Sequence, residues 1–364
     1  MPRKKRKAPK KVAYLWGAGA TQAEITFLGA ASINLLMRDN EDLGTGLATR
    51  IRERLPKRQR TAFFSDRGID IEKLISLLTT SNTRKHLELA ETIRQLYFED
   101  IRTSLATAQV LEKQPLANAL LEMHSSEVFR SDTEELVGIM TTNHDGLLQR
   151  AAEQVNGHID LGVRFESTDL TSSSGQTPPI LQLHGSFTWR FGIPIQIELL
   201  TATSTYSKDT VWIPPAISKE SKSYPFNRLT AMAYELLSRE CDVLRVVGSA
   251  LAQNDWHILA LIFCAQRHME LTSGSTFQIE LITLPGSCVD IERDCSYLKG
   301  TRSIGYLTDG DFAAYNEPSS THTTDMKNPL AYWLKTKIEF HRSRNEFGAA
   351  PFGPAMAKLV GDVP

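Results

Sequence analysis

Ile139-Met140-Thr141-Thr142-Asn143-His144-Asp145 is the stretch from which the fold can be read. It has the pattern of a buried strand running into a polar turn, with a helix predicted from Gly146 to Val155. An amide, an imidazole and a carboxylate at the carboxyl end of a strand stand where open α/β sheets bind their ligands. Three other apolar runs end in a similar way. Val12 to Thr21 (VAYLWGAGAT) ends in Gly17-Ala18-Gly19, and Ile180 to Ser186 (ILQLHGS) ends around His184 and Gly185. Val243 to Leu251 (VLRVVGSAL) ends in Gly248-Ser249 and continues to Asn254-Asp255. Four strand tips that are polar or glycine-rich predict a single crevice along one edge of a sheet.

The rest of the chain follows the same alternation. After Val12 the pattern is strand, glycine turn, helix, with the helix predicted from Gln22 to Met37 and its free amides turned toward a bound anion. Glycines at 17 and 19 would let the backbone approach a pyrophosphate. Gln22 occupies the place of the third glycine in a dinucleotide fingerprint, so the turn by itself fits a nucleotide site and a plain tight turn equally well. Arg38 to Arg67 is polar and basic, broken by Gly44, Gly46 and Pro56, and predicts a mobile loop or lid. From Asp70 to Phe129 the apolar spacing turns helical, which predicts an insertion between two parts of the sheet. Strands are expected at Leu136–Met140 and Ile159–Arg164, and a Ser/Thr/Gly/Pro loop over Ser167–Pro179. Helix Asn227–Arg239, strand Asp242–Val247, helix Trp256–Met269 and strand Phe277–Leu284 restore the alternation. The fold class is therefore α/β: a Rossmann-like parallel sheet with helices on both faces over residues 12–311, a helical insertion near 70–129, and a helical extension over 312–364. Asn328-Pro329 is a helix start with a capping side chain and proline in the first turn. The helix Leu330–Arg342 is expected to cover the core or to present Trp333 to a partner.

Composition sets the outer limits. With 41% hydrophobic and 23% charged residues among 364, this is the make-up of a globular protein with a large core. There is no run of 18 apolar residues, and no apolar segment follows the basic start, so neither a membrane span nor a secretory signal is expected and the location read from the sequence is cytoplasmic. Residues 1–11 hold seven of the Lys and Arg, which leaves the body at a formal −8 within an overall charge of −1. That basic tail is expected to be flexible, and it suits nuclear import or nucleic-acid contact as well as plain solvation. Cys241, Cys264, Cys288 and Cys295 lack the paired C-x-x-C spacing of a structural zinc site, so reduced, buried thiols and no zinc are expected. Trp16 and Trp256 read as core residues. His144 and His257 neighbour the motifs and are expected to point away from them.

Taken together and in order, Gly17-Ala18-Gly19, Thr142-Asn143-His144-Asp145, Leu183-His184-Gly185 and Gly248-Ser249-Ala250-Leu251 with Asn254-Asp255 resemble the sirtuin-like nicotinamide adenine dinucleotide (NAD) hydrolases of bacterial antiphage defence. Asp70-Ile71-Glu72-Lys73-Leu74-Ile75 is similar to the first inserted helix of that family. The resemblance covers about Val12 to Asp311. It departs from the related sirtuin deacylases in three places. Residues 185–240 contain no cysteine where those enzymes carry a four-cysteine zinc module. The proline-aspartate-phenylalanine-arginine segment after the glycine turn is absent, and Thr142 stands where they have glutamine. These differences favour hydrolysis of the dinucleotide over peptide deacylation.

The resemblance implies NAD as substrate, cleaved to nicotinamide and ADP-ribose by a gated, NAD-depleting effector. It implies Asn143, His184 and Asp145 as catalytic residues. Gly17, Ala18, Gly19 and Thr21 would hold the pyrophosphate, with Thr142 in the same site, and Gly248, Ser249 and Asp255 the adenosine side. Cleaving the glycosidic bond builds positive charge on the ribose and needs a positioned water and a proton acceptor. Asn143 would hold water and ribose, Asp145 would face the cationic sugar, and His184, an imidazole titrating ordinarily near pH ~6.5, would take the proton. Read singly, His184 fits a structural histidine and Asn143 to Asp145 a helix cap. The family also implies a homo-oligomer beside a HerA-type hexameric ATPase. The competing functions are a protein deacylase or ADP-ribosyltransferase, and a subunit that senses NAD or ADP-ribose without turnover.

Overall fold

The computed structural model describes residues 8–33, 35, 47–55, 57, 64–65, 68–69, 71–81, 83–126, 134–157, 160–162, 178–192, 195–215, 223–252, 255–304, 328–344 and 353–360. In chain order the elements are β1 (Lys10–Trp16), α1 (Ala18–Phe27), α2 (Leu47–Arg54), β2 (Phe64–Ser65), β3 (Gly68–Ile69), α3 (Ile71–Thr80), α4 (Arg84–Thr107) and α5 (Pro115–Ser125). They continue with β4 (Glu134–Thr141), α6 (Leu147–Asn156), β5 (Ile180–Gln182), β6 (Gly185–Arg190), β7 (Gln196–Ile197), β8 (Thr210–Trp212) and α7 (Phe226–Glu235). A π-helical turn, Leu236–Glu240, leads to β9 (Val243–Val247), α8 (Trp256–Ser273), β10 (Gln278–Ile282), α9 (Pro285–Asp294), β11 (Thr301–Ser303), α10 (Pro329–Arg344) and α11 (Pro354–Leu359).

Six strands form the main sheet in the order β11-β10-β9-β1-β4-β5, all of them parallel. Taking these six in sequence, β1 sits at the centre, β4 and β5 add on one side, and β9, β10 and β11 on the other. This is the doubly wound arrangement, whose ligand crevice lies where the winding reverses, between β1 and β9. Strands buried on both faces must be apolar throughout, and Val12 to Trp16 and all of β9 are buried accordingly. Helices α1, α5, α6, α10 and α11 pack together on one face, and α7, the π-helical turn and α8 pack on the other.

A cluster of charges sits inside this apolar sheet. Arg245 of β9 is 3% exposed. Its Nη1 and Nη2 each lie 2.8 Å from a different carboxylate oxygen of Glu134, and its Nε lies 2.8 Å from Glu280. Nη1 also donates to the Tyr14 hydroxyl at 3.0 Å, and that hydroxyl meets His124 Nε2 at 2.8 Å. Burial by itself would raise the Glu134 pKa, but Arg245 and Lys337 hold the carboxyl well below the usual carboxylate range. Burial, with Arg245 adding to it, lowers His124 to about 3, so this imidazole is neutral in the fold. A second buried carboxyl, Glu24 of α1, accepts the amides of Leu116 and Ala117 at the start of α5 and fastens the two helices together. Burial pushes it up to about 8.

Several details differ from the sequence reading. α1 begins at Ala18 and ends at Phe27, because the glycine turn itself enters the helix. Part of the expected loop after Arg38 is helix α2, whose Ile51, with Leu55 just beyond its end, shares a small core with α3 and with Ala90 and Ile93 of α4. By packing, the predicted insertion divides: α5 belongs to the main core under the sheet. Trp333 is 5% exposed, set against Tyr14 and over Arg245, so α10 covers the core and does not offer that ring to a partner. Asn328 caps α10 through Ala331 N–H and reaches back to the Ala23 carbonyl at 2.8 Å. Trp16 is buried but Trp256 is 60% exposed, since it opens α8 on the outer side. Cys241, Cys288 and Cys295 are buried thiols and Cys264 is an exposed one. Asp160 to Gly162 form no strand. The tail through Lys7, most of Ser167–Pro179, Asn254 and the predicted sheet end near Asp311 lie outside the described residues. No described helix is long and apolar enough to cross a membrane.

Removing the guanidinium would take from Glu134 and Glu280 the buried cation they share, leaving Lys337 and Arg302 as their remaining partners. Arg245→Ala is expected to lower stability by about 3–5 kcal/mol, read as a fall in the urea midpoint; a loss under 1 kcal/mol would mean that the charges are not coupled.

Candidate active site

The crevice is built by contact between two strand tips. Gly17 N–H donates to the Val247 carbonyl at 2.8 Å and Gly19 N–H to the Gly248 carbonyl at 2.7 Å. A Cβ on Gly17 would lie 2.6 Å from the Ser249 Cβ, and one on Gly19 2.7 Å from the Gly248 oxygen. The two glycines are thus required by the approach of β9 to β1, a different reason from the close approach to a pyrophosphate expected from sequence. Gly248 has φ +60°, and a Cβ there would fall 2.0 Å from the Ala20 nitrogen. Above this contact lies a cavity lined by Ala18, Gly19 and Gln22 of α1, by Thr142, by Gly248, Ser249 and Asp255, by Thr283 and Ser287 beyond β10, and by Pro329 and Leu330. Gln22, Thr283 and Ser287 were not singled out from sequence, because nothing local marks a polar residue as cavity lining.

Next to the cavity, over β4, the polar turn is tied down. Asn143 Nδ2 donates to the Gly17 carbonyl and to Thr21 Oγ1, both at 3.0 Å. Thr21 Oγ1 in turn donates to Asp145 Oδ2 at 2.6 Å, and Asp145 Oδ1 accepts the Leu147 amide at 3.1 Å. Both amide hydrogens of Asn143 are therefore spoken for, which leaves its Oδ1 as the atom able to receive a hydrogen from another molecule. Thr21 is buried behind Asn143 and does not line the cavity, and Asp145 both starts α6 and steadies Thr21. Asn143 and Asp145 are themselves 8% and 9% exposed.

The third tip carries a pair of histidines. His184, 3% exposed, follows β5 and places its Nε2 2.7 Å from Nε2 of His257 in the first turn of α8. This reverses the expectation that His257 points away. Its signal in the sequence was faint: it stands two places after Asp255, on the turn of a helix whose start was predicted next to the site. His184, Asp255 and His257 offer three ligand atoms all within 4.8 Å of one another, a spacing able to hold a metal ion. His144 turns aside only in part, since its ring stacks on that of His184 with centroids 6.0 Å apart. Its Nε2 meets the Ile213 carbonyl at 2.9 Å and its ring packs on Trp212 and Phe187. Ile213 N–H also donates to the His184 carbonyl at 2.7 Å, so one backbone segment after β8 fixes both histidines.

Of the residues predicted for the site, Ala18, Gly19, Thr142, Gly248, Ser249 and Asp255 line the cavity. Gly17, Thr21, Asn143 and Asp145 form the hydrogen-bonded layer beside it, and His184 joins that region through Asp255. A scan against protein-family models finds no match to the chain, and a search of curated proteins finds none.

The contact at Gly248 can be separated from its backbone angle. Gly274 has φ +70° with no atom within 4 Å of an added Cβ, so Gly274→Ala should cost about 1–2 kcal/mol for the left-handed backbone alone. Gly248→Ala should lose clearly more in denaturant melts, and equal losses for the two variants would show that the strand tips do not meet as described.

Proposed function

We propose that this protein is an NAD glycohydrolase that releases nicotinamide and leaves ADP-ribose. The observation that carries the reading is the polar arrangement of Asn143 and His184 on the two strand tips next to the β1–β9 cavity. A dinucleotide laid across the crevice would put its adenosine half over Gly248, Ser249 and the β10 tip. Its other half would lie toward Thr142, Asn143 and His184. The positive end of α1 would face the pyrophosphate. The amides of Gly19 and Ala20 are already held by the carbonyls of Gly248 and Gly17, so the pyrophosphate is served by the helix field more than by those two groups.

In this reading the bond between the ribose anomeric carbon and the nicotinamide nitrogen breaks, nicotinamide leaves neutral, and water adds to the oxocarbenium carbon. Asn143 Oδ1, with both its amide hydrogens anchored, receives a hydrogen from that water or from a ribose hydroxyl. His184 takes the proton the water gives up, so one proton is released for each NAD cleaved. Asp145 acts through Thr21 by fixing Asn143, a positioning part in place of direct contact with the sugar.

The wider role follows the family resemblance: a cytoplasmic antiphage effector, held inactive until triggered, working as a homo-oligomer beside a HerA-type hexameric ATPase. A ring-shaped partner would call for several copies of the effector. Any nucleic-acid contact would belong to the basic tail.

Incubating the pure chain with NAD, alone and with a candidate ATPase, and following nicotinamide by chromatography tests the reaction. His184→Ala should lower release by about 10² to 10⁴-fold. Asn143→Ala should lower turnover by about 10² to 10³-fold with NAD affinity little changed, the signature of a group that acts mainly in the transition state. If Asn143→Ala melts lower yet turns over normally per folded molecule, Asn143 is a cap alone. Tight ADP-ribose binding with no nicotinamide under any condition would replace hydrolysis with sensing, and nicotinamide released only when an acylated peptide or an ADP-ribose acceptor is present would point to the transferase class.

A further inference from the structure

We infer that His184, Asp255 and His257 form a binding site for a single transition-metal dication, and that an ion held there shuts the site off. The three residues come from two elements. His184 ends the strand-tip segment after β5, while Asp255 and His257 flank the first residue of α8. Their ligand atoms lie within 4.8 Å of one another. The two imidazoles already face each other through Nε2 at 2.7 Å, an arrangement in which one ring nitrogen holds a hydrogen and the other accepts it. A metal ion would take the place of that shared hydrogen. Bonds of about 2.0–2.1 Å to tetrahedral zinc need donor nitrogens about 3.3 Å apart, so the rings would have to part by about 0.6 Å, a small rotation of either side chain.

The donor set selects the class of ion. Two imidazoles and one carboxylate suit zinc and its neighbours in the first transition row, whereas magnesium and calcium prefer oxygen donors. Three protein ligands leave a coordination position open, and because Asp255 lines the cavity an ion has a way in. None of the donors is a cysteine, so the cysteine spacing that spoke against a structural zinc module does not bear on this site. The inhibitory part of the inference rests on the reading of His184 as proton acceptor, with Nε2, the nitrogen that faces His257, as the accepting atom: once bonded to a metal, that nitrogen cannot also take a proton from water. Metal availability would then gate nicotinamide release.

The test uses the full chain and zinc chloride. Isothermal titration calorimetry should show one zinc ion per chain. His257→Ala and Asp255→Asn, each checked for an unchanged circular dichroism spectrum, should each weaken binding by at least about tenfold. Magnesium at the same concentration should give no binding. No zinc uptake by the wild type, or equal uptake by wild type and both variants, as ions on Cys264 would give, overturns the inference. In parallel, zinc should suppress nicotinamide release and a chelator should restore it. Binding with undiminished release overturns the inhibitory role. Binding by a chain that releases no nicotinamide even when stripped of metal supports the metal site and counts against the hydrolase reading, so the two fail separately.

Discussion

The backbone contact between the Gly17–Gly19 turn and Gly248 is the constraint on which the rest depends. Two adjacent parallel strands reach the same edge of the sheet, and their connections must leave in opposite directions, one into α1 and the other toward α8. Side chains at this crossing would force the strands apart, and only glycine lets the carbonyl of one tip accept the amide of the other at 2.7 Å. Once the tips meet, the Gly17 carbonyl is held where Asn143 can donate to it, and Thr21, one turn into α1, falls behind the same amide. The orientation of Asn143 is thus inherited from the sheet, through two strands and the first turn of a helix.

The polar groups in the interior are satisfied in two separate systems. Around Arg245, opposite charges are brought out of water together, which avoids the large cost of burying either sign alone. Around Asn143, Thr21 and Asp145 the groups form a chain of donors and acceptors that ends at a helix amide. The first system joins the sheet to α10 through Lys337 and Trp333. The second joins the sheet to the site. The histidine pair is held by other means: the Ile213 amide donates to the His184 carbonyl, and His257 comes from the opposite layer of helices.

Much of this was legible in the residues. Continuous apolar runs that stop at glycine or at polar residues mark buried parallel strands, so the α/β class, the four strand tips and their convergence could be read without coordinates. Asn328-Pro329 likewise announced α10. What could not be read was set by contacts distant in sequence. Helical spacing in Pro115–Ser125 shows a helix but not which core it joins, and α5 was grouped with the insertion when it lies under the sheet. Trp333 and Trp256 are both aromatic residues at helix positions; one is covered by Tyr14 and Arg245 and the other stands in solvent, and only the packed neighbours decide that. His257 was passed over because adjacency to a motif says nothing of direction, which follows from how α8 leaves the β9 tip. Thr21 was matched to a phosphate because it follows a glycine turn, yet the phase of α1 turns its hydroxyl inward.

The cavity is shared by parts of the chain made far apart in time. Ala18, Gly19 and Gln22 line one wall and Pro329 and Leu330 another, and the bond that joins these regions, from Asn328 to the Ala23 carbonyl, spans 305 residues. On the ribosome the first strand and its glycine turn emerge well before β9, on which the turn closes, and α10, which completes the wall. A nascent chain therefore has no finished crevice at any length short of about residue 330. The fold itself thus withholds a complete crevice until α10 has been added and packed against α1.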